Sequence, residues 1–415
     1  MIMRRSLAPT TVYLIMRGIN SFAFALVLTY ELAYHTVVVG LTPFQLVLAG
    51  VVLESMTFLF EIPTGLIADL YSRRFSVILG ILLTGCGFLI ETLAPVFAAV
   101  LIAQIVWGIG FTFYSGAEAA WISDEIGTER AHAVFLQATQ IGQLSAIVGT
   151  LLGAALSQIS ISFPVILGAI LFVLLGGGLC LIMPEAGFRP MARDQQHTRA
   201  HLLQPLLASV RLVRIHPILW MILLLGIIIG MCLGGFDRLY TPHLLYNVKL
   251  PQIGDITPVA WLGILNGAVT IGSLIGTEIV RRNYRTSDQR VMMQLLMVLY
   301  SGMIIGSFVF ALTGMFILAI IGFCLTQSLR NISRPLLLIW VNQNAPQQSR
   351  ATVISMYWQS NAFGQIIGSP LLGWVGTVAS LPLALAIGTG VYTATLPLLL
   401  FARNRWNRAE QNNPN

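Results

Sequence analysis

Ionisable side chains lie inside long apolar runs of this sequence, where an uncompensated charge in hydrocarbon would cost several kcal/mol. Arg17 and Asn20 are three residues apart in the first run, so a helix places them on one face. Glu118 lies in the fourth run, and at about 1.5 Å rise per residue it falls in the same half of the hydrocarbon layer as Arg17. An ion pair between Arg17 and Glu118 would neutralise both groups, and a carboxylate released from it could take a proton. The pair is therefore a candidate proton site, although a static clamp between two helices would use the same residues.

Further acidic and aromatic residues accompany this candidate pair. Glu54 and Glu61 are two more carboxylates, both in the second apolar run. Aromatic residues recur at helical spacing in the fourth run, on one stripe with Glu118: Trp107, Phe111, Tyr114 and Trp121. Aromatic stripes are usually plain helix packing, but the embedded carboxylate favours the wall of a cavity for a bulky, apolar and often cationic ligand.

A second polar group lies in the tenth and eleventh runs. Gln327, Arg330 and Arg334 recur at i, i+3 and i+7 in the tenth run. Two arginines inside one span need carboxylates, backbone carbonyls, water or an anionic substrate nearby. An anionic substrate conflicts with the cationic ligand suggested by the aromatic stripe, and the sequence leaves both open. Trp358 and Asn361 share a helical face in the eleventh run and could add hydrogen bonds.

A short charged segment follows the second run, where residues 60–74 read FEIPTGLIADLYSRR. Gly65 contributes to a small helix face that a neighbouring backbone can approach closely. Asp69 lies where apolar residues give way to charge, so its carboxylate can lie against a helix N-terminus. Arg73 and Arg74 follow at once, and they hold this end of the run on the cytoplasmic side.

This segment resembles the signature loop between helices two and three of the major facilitator superfamily, G-x-L-a-D-r-x-G-r-[KR]. The residues that lead up to Gly65 resemble the drug-efflux branch, which includes macrolide and tetracycline exporters. The chain departs from the family pattern at two positions, with Ser72 at the second glycine and Leu70 at the arginine after the acid.

The resemblance also implies a conformational switch in the charged segment. An acid at the end of the fourth helix pairs with the signature-loop arginines in this superfamily, so Asp124 is expected to contact Arg73 or Arg74. Asp69 is expected to face the start of the eleventh helix. Such contacts break and re-form as the two halves of a transporter rock, so they are switch parts rather than substrate contacts.

The chain has 415 residues, of which 56% are hydrophobic and 9% charged, and its mean hydropathy is +0.81. A soluble protein needs far more surface charge, so the composition indicates a polytopic membrane protein. We expect no secretory signal peptide, because Arg4 and Arg5 precede a full-length apolar run without a small-residue cleavage site.

The net charge of +7 is a topology signal rather than a footprint of nucleic-acid binding. Outside the apolar runs, only Arg238 and Lys249 fall on the side opposite to the arginine-rich segments. This asymmetry places the arginine-rich side, with both chain termini, in the cytoplasm. Asp237, beside Arg238 near the outer end of the seventh run, could form an outer gate with it, but an exposed pair of the two is favoured.

Apolar runs of about 20 residues are long enough to cross a membrane as helices. Breaks that contain proline separate many of these runs. The sequence predicts twelve membrane-spanning helices, at 10–31, 43–69, 75–94, 97–122, 133–158, 162–182, 217–241, 258–281, 290–312, 314–342, 350–376 and 379–402.

The longest polar interruption divides the predicted helices into two halves of six. Leucine, valine and arginine at helical spacing in it predict a basic amphipathic helix on the cytoplasmic membrane surface. His197 and His201, four residues apart, could share a metal ion there, but an interfacial helix face explains them better. The predicted domains are an N-terminal six-helix bundle at 1–183, a cytoplasmic linker at 184–216, a C-terminal six-helix bundle at 217–402 and a polar cytoplasmic tail at 403–415.

These observations predict an all-α integral membrane protein with twelve transmembrane helices in two six-helix pseudo-repeat bundles, the major facilitator fold. The resemblance implies a secondary active transporter that works by alternating access, with protonation of a buried carboxylate biasing which side is open. The favoured activity is antiport, in which protons drive efflux of amphipathic drugs or toxic small molecules and so give multidrug and antibiotic resistance. The alternative is a lipid or lysolipid flippase, or an importer of a small anionic solute, which Arg330 and Arg334 support.

The sequence does not favour an enzyme. It has no phosphate-cradling GxxxxGK[ST] motif, no HExxH and no paired CxxC, and its four cysteines are scattered among the apolar runs. We therefore expect neither a cofactor nor a metal site. The expected partners are a small-molecule substrate, protons and membrane lipids, without nucleic acid. We expect a monomer in the plasma membrane, the inner membrane of a bacterium.

Overall fold

The structure is a computed structural model that describes residues 7–189, 217–251, 257–284, 288–346 and 350–411. Helices joined by short connections make up nearly all of the described chain. In chain order they are α1 (Pro9–Ala33), α2 (Pro43–Leu70), α3 (Arg73–Leu93), α4 (Phe97–Ser115), α5 (Ala117–Ile126), α6 (Thr128–Ser157), α7 (Ser162–Ile182), α8 (Pro217–Tyr246), α9 (Ala260–Asn283), α10 (Gln289–Leu312), α11 (Phe316–Asn344), α12 (Arg350–Val378), α13 (Leu381–Tyr392) and α14 (Thr395–Gln411). A π-helical turn, Tyr34–Val38, extends α1.

These helices form twelve rods in the described chain, because α4 continues into α5 and α13 continues into α14 after short interruptions. Eleven of the rods in the described ranges are long and apolar enough to cross a membrane. The remaining rod, α12, has the length of a span at 29 residues, but polar residues at 359–361 interrupt its apolar sequence. The predicted all-helical membrane fold is confirmed.

Side-chain caps determine where two of the early helices begin. At the start of α2, the Thr42 hydroxyl accepts a hydrogen bond from the Gln45 N–H at 3.3 Å, and Gln45 Oε1 accepts one from the Thr42 N–H at 3.0 Å. Pro43 takes the first helical position, where no N–H is needed. At the start of α3, Ser72 Oγ accepts a hydrogen bond from the Phe75 N–H at 2.9 Å. The second cap starts α3 directly after the charged segment.

The described residues divide into two compact units, which we call the first unit (within 1–197 and 252–266) and the second unit (within 198–251 and 267–415). In the first unit, α1 packs against α6, and α3 packs against α4. In the second unit, α8 packs against α12, and α10 packs against α11. In each half, the first rod packs against the fifth and the third rod packs against the fourth. Each half therefore shows the same pattern of helix contacts.

Glycines allow close helix contact at equivalent places in the two units. A Cβ on Gly110 of α4 would lie 2.8 Å from the Gly80 carbonyl oxygen of α3. A Cβ on Gly306 of α10 would lie 2.9 Å from the Gly322 carbonyl oxygen of α11. Only glycine therefore fits at these crossings. The close approach predicted at Gly65 is wrong, because Gly65 is exposed and no described atom lies within 4 Å of the position of its missing Cβ.

Several predicted boundaries differ from the structure or lie outside it. Residues 257–266, expected in the C-terminal half, belong to the first unit. Residues 403–411 of the predicted tail continue α14. The predicted amphipathic helix, with His197 and His201, lies outside the described residues, as do residues 412–415.

Candidate functional site

Arg17 of α1 and Glu118 of α5 form an ion pair, with 2.8 Å between Arg17 Nη1 and Glu118 Oε1. The same Nη1 donates a hydrogen bond to the Tyr114 hydroxyl at 3.1 Å, and Asn20 Nδ2 donates one to that hydroxyl at 2.9 Å. The Glu118 side chain is 11% exposed and that of Arg17 29%, so the first unit shields the pair from water. The structure thus brings together the two residues that the sequence predicted as partners, while their role in proton transfer stays a prediction.

A one-residue interruption in the fourth rod positions Glu118. Helix α4 ends at Ser115 and α5 begins at Ala117, with Gly116 between them. Glu118 consequently lies in the first turn of α5. Backbone N–H groups in a first turn lack partners within the helix and favour a nearby negative charge. The interruption therefore stabilises the ionised carboxylate in addition to the arginine.

The side chains of the predicted aromatic stripe lie in different surroundings, and their role as the wall of a cavity stays a prediction. Trp107 is buried, and its ring packs against Phe88 with 4.9 Å between the ring centroids. Phe111 is 38% exposed. Trp121 is buried and donates its Nε1–H to the Pro184 carbonyl at 2.8 Å. The three side chains therefore lie in different surroundings, and the difference is already present within α4, between buried Trp107 and exposed Phe111.

The two other predicted carboxylates, both in α2, are more exposed than Glu118. Glu54 is half-buried near the middle of α2, and Glu61 is exposed one turn before Gly65. Arg17 is ion-paired with Glu118 rather than with either of them. Their assignment to the substrate or proton cavity stays a prediction.

The charged segment between α2 and α3 contacts the end of α5. Arg73 Nη1 lies 2.6 Å from Asp124 Oδ2, and Arg73 Nη2 lies 3.5 Å from Asp69 Oδ1. Arg74 instead donates a hydrogen bond through Nη2 to the Cys180 carbonyl at 2.6 Å. The expected pairing of Asp124 with this segment is present, and Arg73 is the partner. The expected contact of Asp69 with the start of the eleventh rod stays a prediction.

Two acidic residues that the sequence did not single out reinforce this contact. Glu185, just after α7, accepts hydrogen bonds from Ser72 Oγ at 2.9 and 2.7 Å and from the N–H of the second residue of α3 at 2.9 Å. Glu125 Oε1 accepts hydrogen bonds from the N–H groups of Ala186 and Gly187, both at 2.7 Å. The segment after α7 is thus tied to the start of α3 and to the end of α5. A local sequence pattern cannot predict these hydrogen bonds, because the residues that they join are far apart in the chain.

In the second unit, Arg330 of α11 pairs with Asp237 of α8. Arg330 Nη2 lies 2.6 Å from Asp237 Oδ2, and Nη1 contacts the other carboxylate oxygen. Arg330 Nη1 also lies 3.4 Å from Gln327 Oε1. The expected exposed pair of Asp237 with Arg238 is therefore wrong, because the bidentate geometry of a guanidinium favours the carboxylate across the helix interface.

The remaining predicted residues of the second unit also contact neighbours in the chain. The Arg334 guanidinium lies over the Trp358 ring, 5.2 Å from its centroid, in a cation–π contact. Asn361 Nδ2 donates a hydrogen bond to the Gly226 carbonyl at 3.3 Å. These contacts join α11 to α12 and α12 to α8. The structure brings Gln327 to Arg330 and Arg334 to Trp358, but Asn361 contacts backbone.

A further polar cluster, which the sequence analysis missed, lies in the first unit. It contains Glu31 and His35 at the end of the first rod, Glu91 of α3 and Gln104 of α4, all buried. His35 Nε2 lies 3.0 Å from Glu91 Oε2, and Gln104 Nε2 donates to Glu31 Oε1 at 2.9 Å. The spacing of Glu31 and His35, four residues apart on a helix, was the one local signal that could have revealed it.

Long apolar helices, repeated helix contacts and charged pairs that link helices define a polytopic membrane transporter. The chain belongs to the Major Facilitator Superfamily, whose family profile matches residues 10–369. Its predicted membership in the superfamily is confirmed, and the protein is a multi-pass membrane protein.

The chain is similar to individual transporters at low identity. It is 26% identical to the enterobactin exporter EntS of Escherichia coli O81 (strain ED1a) over 348 residues, which cover 81% of this chain and 77% of that protein. It is 27% identical over 131 residues to YxaM, an uncharacterized transporter of the same superfamily in Bacillus subtilis (strain 168), and the match covers 32% of this chain and 33% of that protein. The crystal structure of the nucleoside transporter NupG matches with a TM-score of 0.72 at 14% identity, over 95% of this chain and 98% of that one. The structural match supports the fold alone.

Proposed function

We propose that the chain is a proton-coupled exporter of small organic molecules, in which Glu118 binds the proton and Arg17 is its ionic partner. The observation that supports this best is the ion pair between α1 and α5, with 2.8 Å between Arg17 Nη1 and Glu118 Oε1. The pair is shielded from water, so the charge state of Glu118 has a large effect on the attraction between these helices.

Protonation of Glu118 would give the pair two states. The ionised carboxylate attracts Arg17 and ties α5 to α1. The protonated carboxyl loses that attraction, while the Tyr114 hydroxyl remains a hydrogen-bond partner of Arg17 at 3.1 Å. A proton can therefore select between a tied and a loosened arrangement, which is the differential binding that coupling requires.

Export is the direction that the similarity to a named exporter favours. The match to the enterobactin exporter extends over 81% of this chain. We infer that the substrate is a small organic molecule, and we retain amphipathic drugs as the first class to test because of the residues that precede Gly65. Proton antiport then drives the substrate outward as protons enter.

Import of a small anion or lipid flipping receives less support. Both alternatives depended on Arg330 and Arg334 needing an anionic partner. Arg330 makes a bidentate contact with Asp237, and Arg334 lies over Trp358. Because Arg330 has a carboxylate of this chain as its partner, an anionic substrate is not needed to explain its position in an apolar helix.

We also propose that the charged segment is the conformational switch, with Gly65, Asp69, Arg73, Arg74 and Asp124 as its parts. The Arg73–Asp124 distance of 2.6 Å supports this. The side chains of Arg73 and Asp124 are 21% and 28% exposed. Partly exposed ion pairs contribute little net stability, so this one can break during a transport cycle at small cost.

The same sequence signals support a location. We propose a monomer in the inner membrane of a bacterium with both termini in the cytoplasm, because the arginine-rich segments gather on one side. Cysteine accessibility to a membrane-impermeant reagent, with single cysteines placed at Tyr71, between α2 and α3, and near 249, tests this orientation. Labelling at position 71 from outside intact cells would contradict it.

Transport in vesicles with an imposed pH gradient tests the function. The purified protein, reconstituted into liposomes, is expected to move at least one of ethidium, tetracycline, erythromycin or enterobactin against an inward proton gradient, with matching proton movement reported by an internal pH dye. Glu118→Gln is expected to abolish pH-driven transport. The matched control is Glu129→Gln, which changes an exposed carboxylate at the start of α6 and is expected to leave transport intact. Unchanged pH-driven transport by Glu118→Gln would contradict the proposal.

A further inference from the structure

The buried polar cluster of the first unit has the composition of a metal site. Glu31, His35 and Glu91 each place one ligand atom within 4.8 Å of the others. The exposed fractions are 2% for Glu31 and 0% for His35, Glu91 and Gln104. The ligand atoms come from three rods, because α1 supplies Glu31 and its π-helical extension supplies His35, while α3 and α4 supply the others.

The two carboxylates of this cluster need protons or a cation to balance their charge. Two carboxylates at this separation in surroundings without water cannot both remain ionised unless positive charge compensates them. The imidazole of His35, which lies 3.0 Å from Glu91, contributes at most a single positive charge. A divalent metal ion would neutralise both carboxylates at once and would accept the imidazole as a neutral ligand.

Gln104 provides an independent indication of a ligand. Its side chain is fully buried and contacts Glu31 through Nε2 at 2.9 Å. Within the described part of the chain, Gln104 Oε1 has no hydrogen-bond partner. A buried amide oxygen normally has one, because an unmatched acceptor costs about 1–3 kcal/mol. A metal ion in the cluster would supply the partner that this oxygen lacks.

We propose that Glu31, His35, Glu91 and Gln104 bind a divalent first-row transition metal ion of the Zn²⁺ or Mn²⁺ type. Imidazole nitrogen with carboxylate oxygen is a donor set of these ions, whereas Ca²⁺ and Mg²⁺ take oxygen ligands alone. The bound ion ties the ends of the first, third and fourth rods together within the first unit.

The backbone around the cluster suits entry of an ion. Glu31 and His35 are four residues apart, so they lie on one face of the first rod. The chain becomes π-helical at Tyr34–Val38, and such turns occur frequently at functional sites. Glu91 lies two residues before the end of α3 at Leu93, which is 81% exposed. The site is thus about one helical turn from the rod ends, and an ion has a short path to it.

Metal binding by the full-length protein tests this proposal without any transport measurement. The protein is purified without a histidine tag, stripped with a chelator, incubated with Zn²⁺ or Mn²⁺ and desalted, and the retained metal is measured by mass spectrometry. The unmodified protein is expected to retain about one ion per chain. His35→Gln and Glu91→Gln are expected to weaken binding by at least about tenfold.

The matched control is His243→Gln. His243 is also buried, at 1% exposure, but its Nε2 lies 2.9 Å from the Phe310 backbone carbonyl rather than from a carboxylate. This variant is expected to retain the ion. Should Glu91→Gln fail to fold, Co²⁺ added to the unmodified protein gives a second measurement, with visible absorption expected for nitrogen and oxygen coordination. Absence of retained metal in the unmodified protein, or equal retention by His35→Gln and the parent, would overturn the proposal.

Discussion

Removal of Arg17 should expose the energetic role of the ion pair. Arg17→Met keeps a long apolar side chain in α1 but leaves Glu118 without its positive partner. The Glu118 side chain is only 11% exposed, so water cannot replace the lost partner effectively. Loss of one member of a buried pair typically costs 3–5 kcal/mol, and the 29% exposure of Arg17 places the expectation near the lower limit, at about 3 kcal/mol.

Removal of both charges should cost much less. In Arg17→Met/Glu118→Met no charge remains stranded, and apolar replacement of a buried pair is often neutral, so we expect a change within about 1 kcal/mol of the parent. The cost of Arg17→Met alone should also shrink as the pH falls from about 7.5 to about 5, because protonation of Glu118 removes the stranded charge. The pH dependence should be absent in the double variant.

Unfolding of the purified protein in mixed micelles, titrated with a denaturing detergent, measures these differences. The parent, both single variants and the double variant form a double-mutant cycle, which isolates the interaction between Arg17 and Glu118. The reasoning would be refuted if Arg17→Met were as stable as the parent at neutral pH. It would also be refuted if the double variant were as unstable as Arg17→Met, because the cost would then come from lost packing rather than from charge.

Three further predictions test the packing and the contacts between helices. Gly110→Leu should lower the free energy of unfolding by about 1–3 kcal/mol, because its Cβ would meet a backbone carbonyl at 2.8 Å, whereas Gly65→Leu should have little effect. Thermal unfolding measures the difference, and equal effects of the two variants would contradict the close contact of α3 with α4. Glu185→Ala should lower the free energy of unfolding by about 0.5–2 kcal/mol, because it removes hydrogen-bond acceptors from the start of α3. Hydrogen exchange in the first turn of α3 should become faster, and unchanged exchange would contradict this prediction. Asp237→Asn should lower the free energy of unfolding by about 1–3 kcal/mol, and Arg330→Gln added to the same chain should recover part of that loss. If the effects of the two substitutions simply add in unfolding measurements, the two side chains do not act as a pair.

The helices could be predicted because their determinants are local. Proline at 43 and 382 marks the starts of α2 and α13, and hydroxyl caps at Thr42 and Ser380 precede them. Apolar length then fixes where each rod ends. The pairing of Arg17 with Glu118 was also predictable, since two opposite charges at one depth in hydrocarbon have few other partners.

The rest depends on contacts between distant segments, which no local pattern contains. Gly116 looks like any glycine in an apolar run, so the break that places Glu118 in the first turn of α5 was not anticipated. Asp237 was assigned to its neighbour Arg238, although Arg330, 93 residues away, offers the better bidentate geometry. Glu31 and Glu91 lie near the ends of their rods, where carboxylates commonly reach water, so their burial became visible only in the folded chain.

A comparison of two kinds of transport by Glu118→Gln tests the role of Glu118 most directly. In the same liposomes, one assay drives the substrate with a pH gradient, and the other measures exchange of labelled for unlabelled substrate at equal pH on both sides. We expect Glu118→Gln to retain exchange and to lose pH-driven transport, because only the second process needs a proton to bind and leave. A variant that keeps both, or that loses exchange together with pH-driven transport while remaining folded, would contradict Glu118 as the proton-binding residue.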